Sequence, residues 1–386
     1  MTRILTVALL TLGDPGKLTG GYLYHLRMAQ LAPRNNARIV FVSFPERPFP
    51  LAAVAVPAVI AQARRRGAGV VVLDSIAAAF LGPCLAWRAP QWPLLAMLHQ
   101  PPGGIDYGPG RSAVQAGLDR LAYRHARRLL VASESLADQL TAQGIPPDRI
   151  RVVPPGRDVA AAPGAAPGDL RQGRQAALLC VGNWLARKGI LSLLDAFARL
   201  PPATATLHLA GDDQIDPAYA ARVRARLRGA DLAGRVVVHG RLALADVAAL
   251  YAAADVFVLP SLKEPYGTVY GEAMAAGLPV VGWRAGNLPY LADDGREGLL
   301  VPPGDIAGLA RALERLATDE ALRRQMGEAG RRRALARPTW EESAGLFFAA
   351  IREALGQSGV TPAQASPGRR ARNSMVRDSE ENGSRW

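Results

Sequence analysis

The residues with the clearest chemical potential are two glutamates, Glu264 and Glu272, eight positions apart. The apolar run at residues 256–259 predicts a buried strand, a polar turn follows it, and a helix is predicted to begin near Thr268. Ligands of parallel α/β sheets bind at this end of the strands. A helix start offers N–H groups and about half a positive charge, so it suits a diphosphate, and carboxylates there could accept hydrogen bonds from sugar or ribose hydroxyls. Spacing alone allows equally well a capped helix with Glu272 on its solvated face.

Cationic side chains form a second candidate group. Arg187 and Lys188 follow a strand predicted at residues 176–182 and precede a helix. A cation in such a loop can stabilise the charge that develops on a leaving diphosphate. Lysine is rare in this chain, with Lys17 and Lys263 as the only others. A solvated surface lysine is therefore disfavoured as the explanation of Lys188.

The first half of the chain carries weaker signals. Gly20 and Gly21 follow the first predicted strand and open a helix, but many such turns contain glycine for steric reasons alone. His99 follows a strand predicted at residues 94–98, at the carboxyl end of the sheet. A lone histidine is more often structural than catalytic, and His99 is preferred because of its position. Structural roles are predicted for the other four histidines, His25, His125, His208 and His239.

Short apolar runs alternate with helical patterns along the chain, which predicts parallel sheets with helices on both faces. The strands predicted in the first half are residues 4–10, 37–43, 70–74, 94–98, 129–132 and 150–153. A segment at 154–173, rich in Pro, Gly and Ala, predicts an interdomain linker. Further strands are predicted at 176–182, 206–210, 235–239, 256–259 and 279–282. The second half is thus another doubly wound α/β domain.

Composition limits the classes of protein that remain. A length of 386 residues suits two domains, and 49% hydrophobic with 20% charged residues is a globular balance. The net charge of +13 comes mainly from arginine in a sequence rich in Ala, Gly and Pro, so it is weak evidence for nucleic-acid binding. Cys84 and Cys180 are predicted to be reduced core residues of a cytoplasmic protein. The start fits a buried strand better than a signal peptide, and no apolar run reaches the roughly 18 residues of a membrane helix.

The segment at residues 261–281 resembles the family-four retaining glycosyltransferases. It contains their E-x7-E element, from Glu264 to Glu272, within S-x-x-E-P-Y-G and E-A-M-A-A-G-L-P-V-V. The resemblance covers nearly the whole chain before the tail. It implies the GT-B fold, an α/β architecture of two Rossmann-like domains that face each other across a cleft. It also implies that Glu264 lies by the donor sugar and Glu272 by the ribose. Donor binding is further implied for Gly267, Thr268 and Val269, the last two through their amides.

The loop at residues 181–189 is similar to the family's strand-loop-helix that carries cations for the donor diphosphate. Lys188 falls at the family's lysine. The family's arginine after the glycine is Asn183 here, which is a departure, and Arg187 is the candidate replacement. The resemblance also implies that Gly20 and Gly21 approach the donor phosphates and the acceptor across the cleft. His99 corresponds to the family's cleft histidine.

The resemblance divides the chain into four parts. An acceptor domain is expected at residues 1–155 and a nucleotide-sugar donor domain at 174–338. A closing helix at 339–355 returns to the first domain, and the polar tail at 356–386 is expected to be disordered.

The implied activity is transfer of a sugar from a UDP- or GDP-linked donor to a hydroxyl of a glycan, a lipid-linked molecule or a small molecule. The anomeric configuration is kept, and neither metal nor cofactor is expected. The sequence contains no zinc-ligand motif, Walker A sequence or D-x-D site. Two alternatives stay open. One is a nucleotide-sugar epimerase on the same fold, and the other is a non-catalytic subunit that binds a sugar nucleotide.

A basic face is predicted on a helix at residues 112–128. Its members follow helical spacing and are Arg120, Arg124, Arg127 and Arg128. Such a face could hold the protein at the inner face of an anionic membrane and present a lipid-linked acceptor. A solvated face in an arginine-rich protein explains the same pattern. No nucleic-acid partner is expected.

Overall fold

The computed structural model describes residues 4–16, 20–87, 92–157 and 168–356. The first sheet has six parallel strands in the order β2-β1-β3-β4-β5-β6. They are β1 (Leu5–Leu12), β2 (Ala37–Phe44), β3 (Val70–Asp74), β4 (Leu94–Leu98), β5 (Arg128–Val131) and β6 (Ile150–Val152). Helices separate them, namely α1 (Gly20–Leu31), α2 (Val56–Arg65), α3 (Ala78–Trp87), α4 (Pro109–His125) and α5 (Glu134–Ala142).

The second sheet has the strand order β12-β11-β10-β7-β8-β9, again parallel throughout. Its strands are β7 (Ala176–Val181), β8 (Ala205–Ala210), β9 (Val236–Gly240), β10 (Val256–Val258), β11 (Val280–Trp283) and β12 (Gly298–Val301). Its helices are α6 (Ile190–Phe197), α7 (Pro217–Leu227), α8 (Leu244–Ala253), α9 (Thr268–Ala275), α10 (Leu288–Leu291), α11 (Ile306–Thr318) and α12 (Glu320–Leu335). The predicted architecture of two Rossmann-like α/β units is confirmed.

Burial on both faces explains why the strands are continuous apolar runs. In β3, Val71 and Leu73 pack into one core cluster, whereas Val70 and Val72 pack into another. Successive strand side chains point to opposite faces, so these clusters lie on the two sides of the first sheet. A strand covered by helices on both sides has no face left for polar residues.

The last helix, α13 (Trp340–Ala354), packs against α1 of the first sheet. Its buried Phe347 and Ile351 share a core cluster with Tyr24 and Met28 of α1. A capping box begins the helix, because the Thr339 hydroxyl accepts from the Glu342 amide and the Glu342 carboxylate accepts from the Thr339 amide. The end of the described chain is thereby fastened to the first half.

Several sequence predictions need correction. The helix at α4 ends at His125, so Arg127 and Arg128 do not extend its basic face. The Arg127 guanidinium donates to the Ala354 carbonyl, while Arg128 begins β5 and donates to the Asp148 carbonyl. Both arginines thus bind backbone oxygens instead of forming one helical stripe with Arg120 and Arg124. Cys84 was predicted in the core but is exposed, because it lies on the outward side of α3.

The strand β12 was missed, since it is only four residues long and directly follows a polar turn. The helix α3 begins at Ala78, because residues 75–77 form a turn. Part of the predicted linker, residues 158–167, and the tail from residue 357 lie outside the described residues.

Candidate functional site

The strand order explains where a ligand site forms in the second sheet. The chain passes from β7 to β8 and β9 on one side, then returns to place β10 on the other side of β7. Loops after two such strands diverge and leave a crevice at their carboxyl ends. The loop after β7 carries Arg187 and Lys188, and the loop after β10 carries Glu264. Topology thus brings together residues about 76 positions apart.

Glu264 is paired with both cations of the neighbouring loop. The Lys188 ammonium donates to its Oε2, and Nη1 of Arg187 lies 3.8 Å from the same oxygen. The Lys188 and Glu264 side chains are only 10% and 13% exposed, so solvent screens their interaction weakly. The site is a largely buried cluster of two cations and one carboxylate, in which the cations outnumber the carboxylate.

Close backbone contacts hold the Glu264 loop in place. A Cβ on Gly286 would lie 2.8 Å from the Glu264 amide nitrogen, and one on Gly189 would lie 2.2 Å from the Pro260 carbonyl oxygen. The buried Asn287 donates from its backbone to the Glu264 carbonyl and from its side chain to the Tyr266 carbonyl. Gly286 and Asn287 therefore support the loop from behind.

The helix α9 starts beside this cluster. Gly267 precedes it with a left-handed φ of 82°, and no side chain among the described residues caps its N-terminus. The amides of Thr268 and Val269 begin the helix, where the macrodipole favours an anion. Glu272, one turn further on, is exposed and accepts a hydrogen bond of 3.1 Å from the Tyr251 hydroxyl. Tyr251 lies in α8 and itself is buried, so it fixes the carboxylate from below.

Asn183 and Arg187 take different parts in this site. The Asn183 side-chain oxygen accepts from the Asp212 amide at 3.2 Å, which commits it to the neighbouring loop after β8. The Arg187 guanidinium, by contrast, reaches the Lys263 carbonyl oxygen at 2.9 Å beside Glu264. The structure therefore brings Arg187 to Glu264, whereas the Asn183 side chain bonds to the loop after β8.

Contacts across the cleft join the loops of the two sheets. Arg187 Nε lies 2.7 Å from Oδ1 of Asp106, in the loop after β4. Elsewhere the Tyr290 hydroxyl donates to Asp138 at 2.6 Å, and the Tyr266 hydroxyl donates to the Pro155 carbonyl at 3.0 Å. The carboxyl ends of both sheets thus line one cleft.

On the first-sheet side, His99 lies directly against Gly21. A Cβ on Gly21 would come within 3.3 Å of the His99 ring, whereas one on Gly20 would meet nothing within 4 Å. Gly21 is therefore required for close packing of α1 on His99, and Gly20 is not. Burial lowers the pKa of His99 to about 3, with a further contribution from His25, so the imidazole is neutral at physiological pH.

His25, predicted to be structural, belongs to this group. The ligand atoms of His25, Asp74 and His99 all lie within 4.8 Å of one another, although the sequence shows no metal-ligand motif. Asp74 ends β3 and Thr11 lies near the end of β1, at the switch point of the first sheet. Helical spacing could have placed His25 one turn after Gly21 on the same face, since the two are four positions apart.

The family models follow the same division of the chain. The model described as "Glycosyl transferase 4-like domain" matches residues 5–156, and the one described as "Glycosyl transferases group 1" matches residues 175–319. The chain belongs to the family-four glycosyltransferases. The second match includes every residue of the charged cluster, and the first includes His99.

Two curated relatives show what this glycosyltransferase is similar to. The lipopolysaccharide core biosynthesis glycosyltransferase LpsE of Rhizobium meliloti (strain 1021) is 37% identical over 157 residues, 40% of this chain and 43% of that protein. The MMP alpha-(1->4)-mannosyltransferase of Mycolicibacterium hassiacum is 32% identical over 242 residues, 61% of this chain and 56% of that protein. The chain thus spans about half the length of these relatives.

Solved glycosyltransferases share the fold of both domains. Sucrose-phosphate synthase from Thermosynechococcus elongatus superposes with a TM-score of 0.77 at 23% identity, covering 92% of this chain and all of that one. Anabaena HepE in complex with UDP and glucose gives 0.73 at 21% identity, covering 90% and 100%. None of the described helices of this glycosyltransferase is both long and apolar enough to span a membrane.

Proposed function

We propose that this chain transfers a sugar from a nucleotide diphosphate sugar to an acceptor hydroxyl and keeps the anomeric configuration. The observation that carries the proposal is the cluster of Lys188, Arg187 and Glu264 beside the N-terminus of α9. Two cations and a helix start form an anion site of the right charge for a diphosphate. The carboxylate adds an acceptor for hydroxyl groups of the attached sugar.

In the proposed reaction the protein positions groups and stabilises charge. The bond between the anomeric carbon and the diphosphate oxygen breaks, and its electron pair leaves with the nucleoside diphosphate. Lys188, Arg187 and the amides of Thr268 and Val269 stabilise that negative charge. The acceptor oxygen bonds to the anomeric carbon on the same face, and its proton passes to a leaving phosphate oxygen. Retention follows from this same-face path, which needs no protein nucleophile.

The two glutamates have separate parts in the proposal. Glu264 holds sugar hydroxyls next to the breaking bond, so its contribution is to the rate. Glu272, oriented by Tyr251, accepts from ribose hydroxyls one helical turn away, so its contribution is to donor affinity. Gly267 permits the turn that aims the start of α9, and its φ of 82° is costly for any side chain.

The acceptor side is proposed to include His99, Gly20 and Gly21. The neutral His99 imidazole can donate one hydrogen bond and accept another, which suits a hydroxyl-bearing substrate. Since Arg127 and Arg128 bind backbone carbonyls, the basic face no longer supports a membrane-held acceptor over a glycan or a small molecule. The acceptor class is thus a matter for direct screening.

Lys188 and Arg187 offer positive charge to the diphosphate, so metal-independent turnover belongs to the proposal. For the donor, one relative bears a name that mentions mannosyl transfer, and HepE was solved with UDP and glucose. A panel of UDP- and GDP-linked glucose, mannose, galactose and N-acetylglucosamine therefore covers the first choices.

The proposal is tested by measuring donor binding. The melting temperatures of the wild type and of Lys188→Ala are compared with and without each nucleotide sugar of that panel. A rise in melting temperature for one nucleotide sugar, reduced in the variant, supports it. The bound donor is then incubated without and with pooled glycan and lipid-linked acceptors. Conversion of the donor sugar without acceptor would instead identify an epimerase. Binding without turnover on any acceptor would identify a non-catalytic subunit.

A further inference from the structure

A buried group of polar side chains lies beneath His99, outside the charged donor cluster. The Thr11 hydroxyl donates to Asp74 Oδ2 at 2.8 Å, and His25 Nε2 lies 3.1 Å from the same oxygen. The His25 contact is close, though its angle is not that of a well-directed hydrogen bond. The side chains of His25 and Asp74 are almost fully buried, at 0% and 3% exposure. Polar groups buried this deeply are costly unless they meet one another, so each depends on these contacts.

Asp74 is connected to His99 through its other oxygen as well. The backbone amide of His99 donates to the Ser75 hydroxyl at 3.3 Å, and that hydroxyl donates to Asp74 Oδ1 at 3.4 Å. One carboxylate thus holds the main chain of His99 through Ser75 and contacts His25 on its other side.

The His99 ring is enclosed by α1. The rings of His25 and Tyr24 lie edge-on to it, with centroid distances of 4.8 and 4.9 Å. Gly21 closes the third side, since a Cβ at this position would lie only 3.3 Å from the ring. Helix α1 therefore fixes the ring plane, and Asp74 fixes both α1, through His25, and the backbone from which the ring projects.

We propose that Asp74 and His25 are positioning residues that set the orientation of the His99 ring on the acceptor side of the cleft. The inference rests on the proposed function only in that His99 is taken to face the acceptor substrate. His99 Nε2 is buried and has no hydrogen-bond partner among the described residues, so the surrounding side chains alone do not satisfy it.

Charges around His99 favour this assignment. The groups facing it are His25 and Tyr24 from α1 and Asp74 from β3. Burial and the His25 imidazole lower the pKa of His99, while Asp74 raises it. The contact with His25 lowers the pKa of Asp74 to about 2 despite burial, so the carboxylate stays ionised above about pH 3. Removal of His25 would leave His99 facing an unpaired carboxylate, and its pKa would rise.

The test compares Asp74→Asn and His25→Gln with Asp14→Asn, which removes an exposed carboxylate from the loop after β1. We expect kcat to fall about a hundredfold in Asp74→Asn and His25→Gln, with little change in donor KM. The reason is that misplacement of the His99 ring by about 1 Å can cost that much in rate. In His25→Gln the acid limb of the kcat profile should move to higher pH. Asp14→Asn should match wild type.

A readout independent of turnover separates this inference from the proposed function. The ring nitrogens of ¹⁵N-labelled histidine in full-length protein report the protonation and tautomer of His99 by NMR. We expect a neutral His99 from pH 5 to 8 in wild type and a protonated fraction at pH 5 in His25→Gln. Unchanged His99 resonances in both folded variants would overturn the positioning role. Specific Zn²⁺ binding to the wild type that is lost in both variants would assign the three side chains to a metal site and likewise overturn it.

Discussion

Arg187, from the loop after β7, lies 2.7 Å from Asp106, from the loop after β4, so the two domains are joined by an ion pair at the donor cluster itself. The Arg187 side chain is 19% exposed and that of Asp106 is 53% exposed. Asp106 thus competes, from the solvent side, with any anion that Arg187 could bind.

Loss of the Arg187 side chain should lower kcat/KM for the donor more than loss of its ion pair with Asp106. Arg187→Ala is expected to lower kcat/KM at least tenfold, roughly 1.4 kcal/mol, if the guanidinium takes the part of the family's arginine, whose position is Asn183 here. Asp106→Asn should leave kcat/KM equal or raise it slightly, since a partly exposed pair is worth about 1 kcal/mol or less. Arg324→Ala, in an exposed pair on α12, is the control. Wild-type kinetics in Arg187→Ala would leave another residue as the diphosphate partner.

Lys188 should contribute a larger share of the rate. A preorganised group aimed at developing charge is worth about 10²–10³ in kcat, and Lys188→Ala is expected in that range. Lys263→Ala removes an exposed lysine from the adjacent loop and should stay within about twofold of wild type. Circular dichroism and melting temperature establish that both variants fold. Equal loss in the two lysine variants would argue for a general effect of net charge.

Glu272 should act mainly on donor affinity. Glu272→Ala is expected to raise donor KM with a small change in kcat, because the ribose lies away from the breaking bond. Tyr251→Phe should show the same change more weakly, since it removes the hydrogen bond that orients the carboxylate and a longer one, of 3.4 Å, to the Val269 carbonyl. Steady-state kinetics at varied donor concentration separate the two parameters. A loss confined to kcat would contradict the ribose assignment.

Turnover should survive chelation. Lys188, Arg187 and the start of α9 supply the positive charge that a metal would otherwise provide. Activity measured after dialysis against EDTA should equal that of untreated protein, with and without added Mg²⁺. A strict requirement for Mg²⁺ or Mn²⁺ would indicate a metal-bridged donor.

Asp119 should make stability depend on pH. Burial raises the pKa of this carboxyl to about 7, against hydrogen bonds from the Gly103 and Ala79 amides that lower it. The folded protein therefore keeps a proton that the unfolded chain releases near pH 4. The resulting contribution to the free energy of unfolding is fully present below about pH 4 and is lost as pH rises through 7. Denaturant unfolding of wild type and Asp119→Asn from pH 4 to 8 should show a flatter dependence in the variant. Parallel curves would refute the assignment.

The sequence predicted much of the fold because its strands are long apolar runs. Residues 70–74 and 94–98 were placed correctly as β3 and β4, and the start of α9 at Thr268 was also found. Short elements carry too little pattern, which explains why the four-residue strand β12 was missed. The prediction of the basic face was wrong for Arg127 and Arg128, because α4 ends at His125 and β5 begins at Arg128. Helical spacing alone cannot show where a helix ends.

The candidate site was predictable where loops follow strands. Parallel strands put Lys188 and Glu264 at one sheet edge, and no tertiary knowledge was needed for that. The partners of these residues were not predictable. Asp106 comes from the other domain, Asp74 and His25 meet beneath His99, and Tyr251 reaches Glu272 from the preceding helix. Each is a long-range contact without a local pattern.

The central claim is tested most directly by NMR of the product formed by wild type and Glu264→Gln from one donor that binds. The account predicts a new glycoside with the anomeric configuration of the donor, at a rate reduced by a large factor in the folded Glu264→Gln variant. An inverted glycoside, or equal rates for wild type and Glu264→Gln, would contradict it.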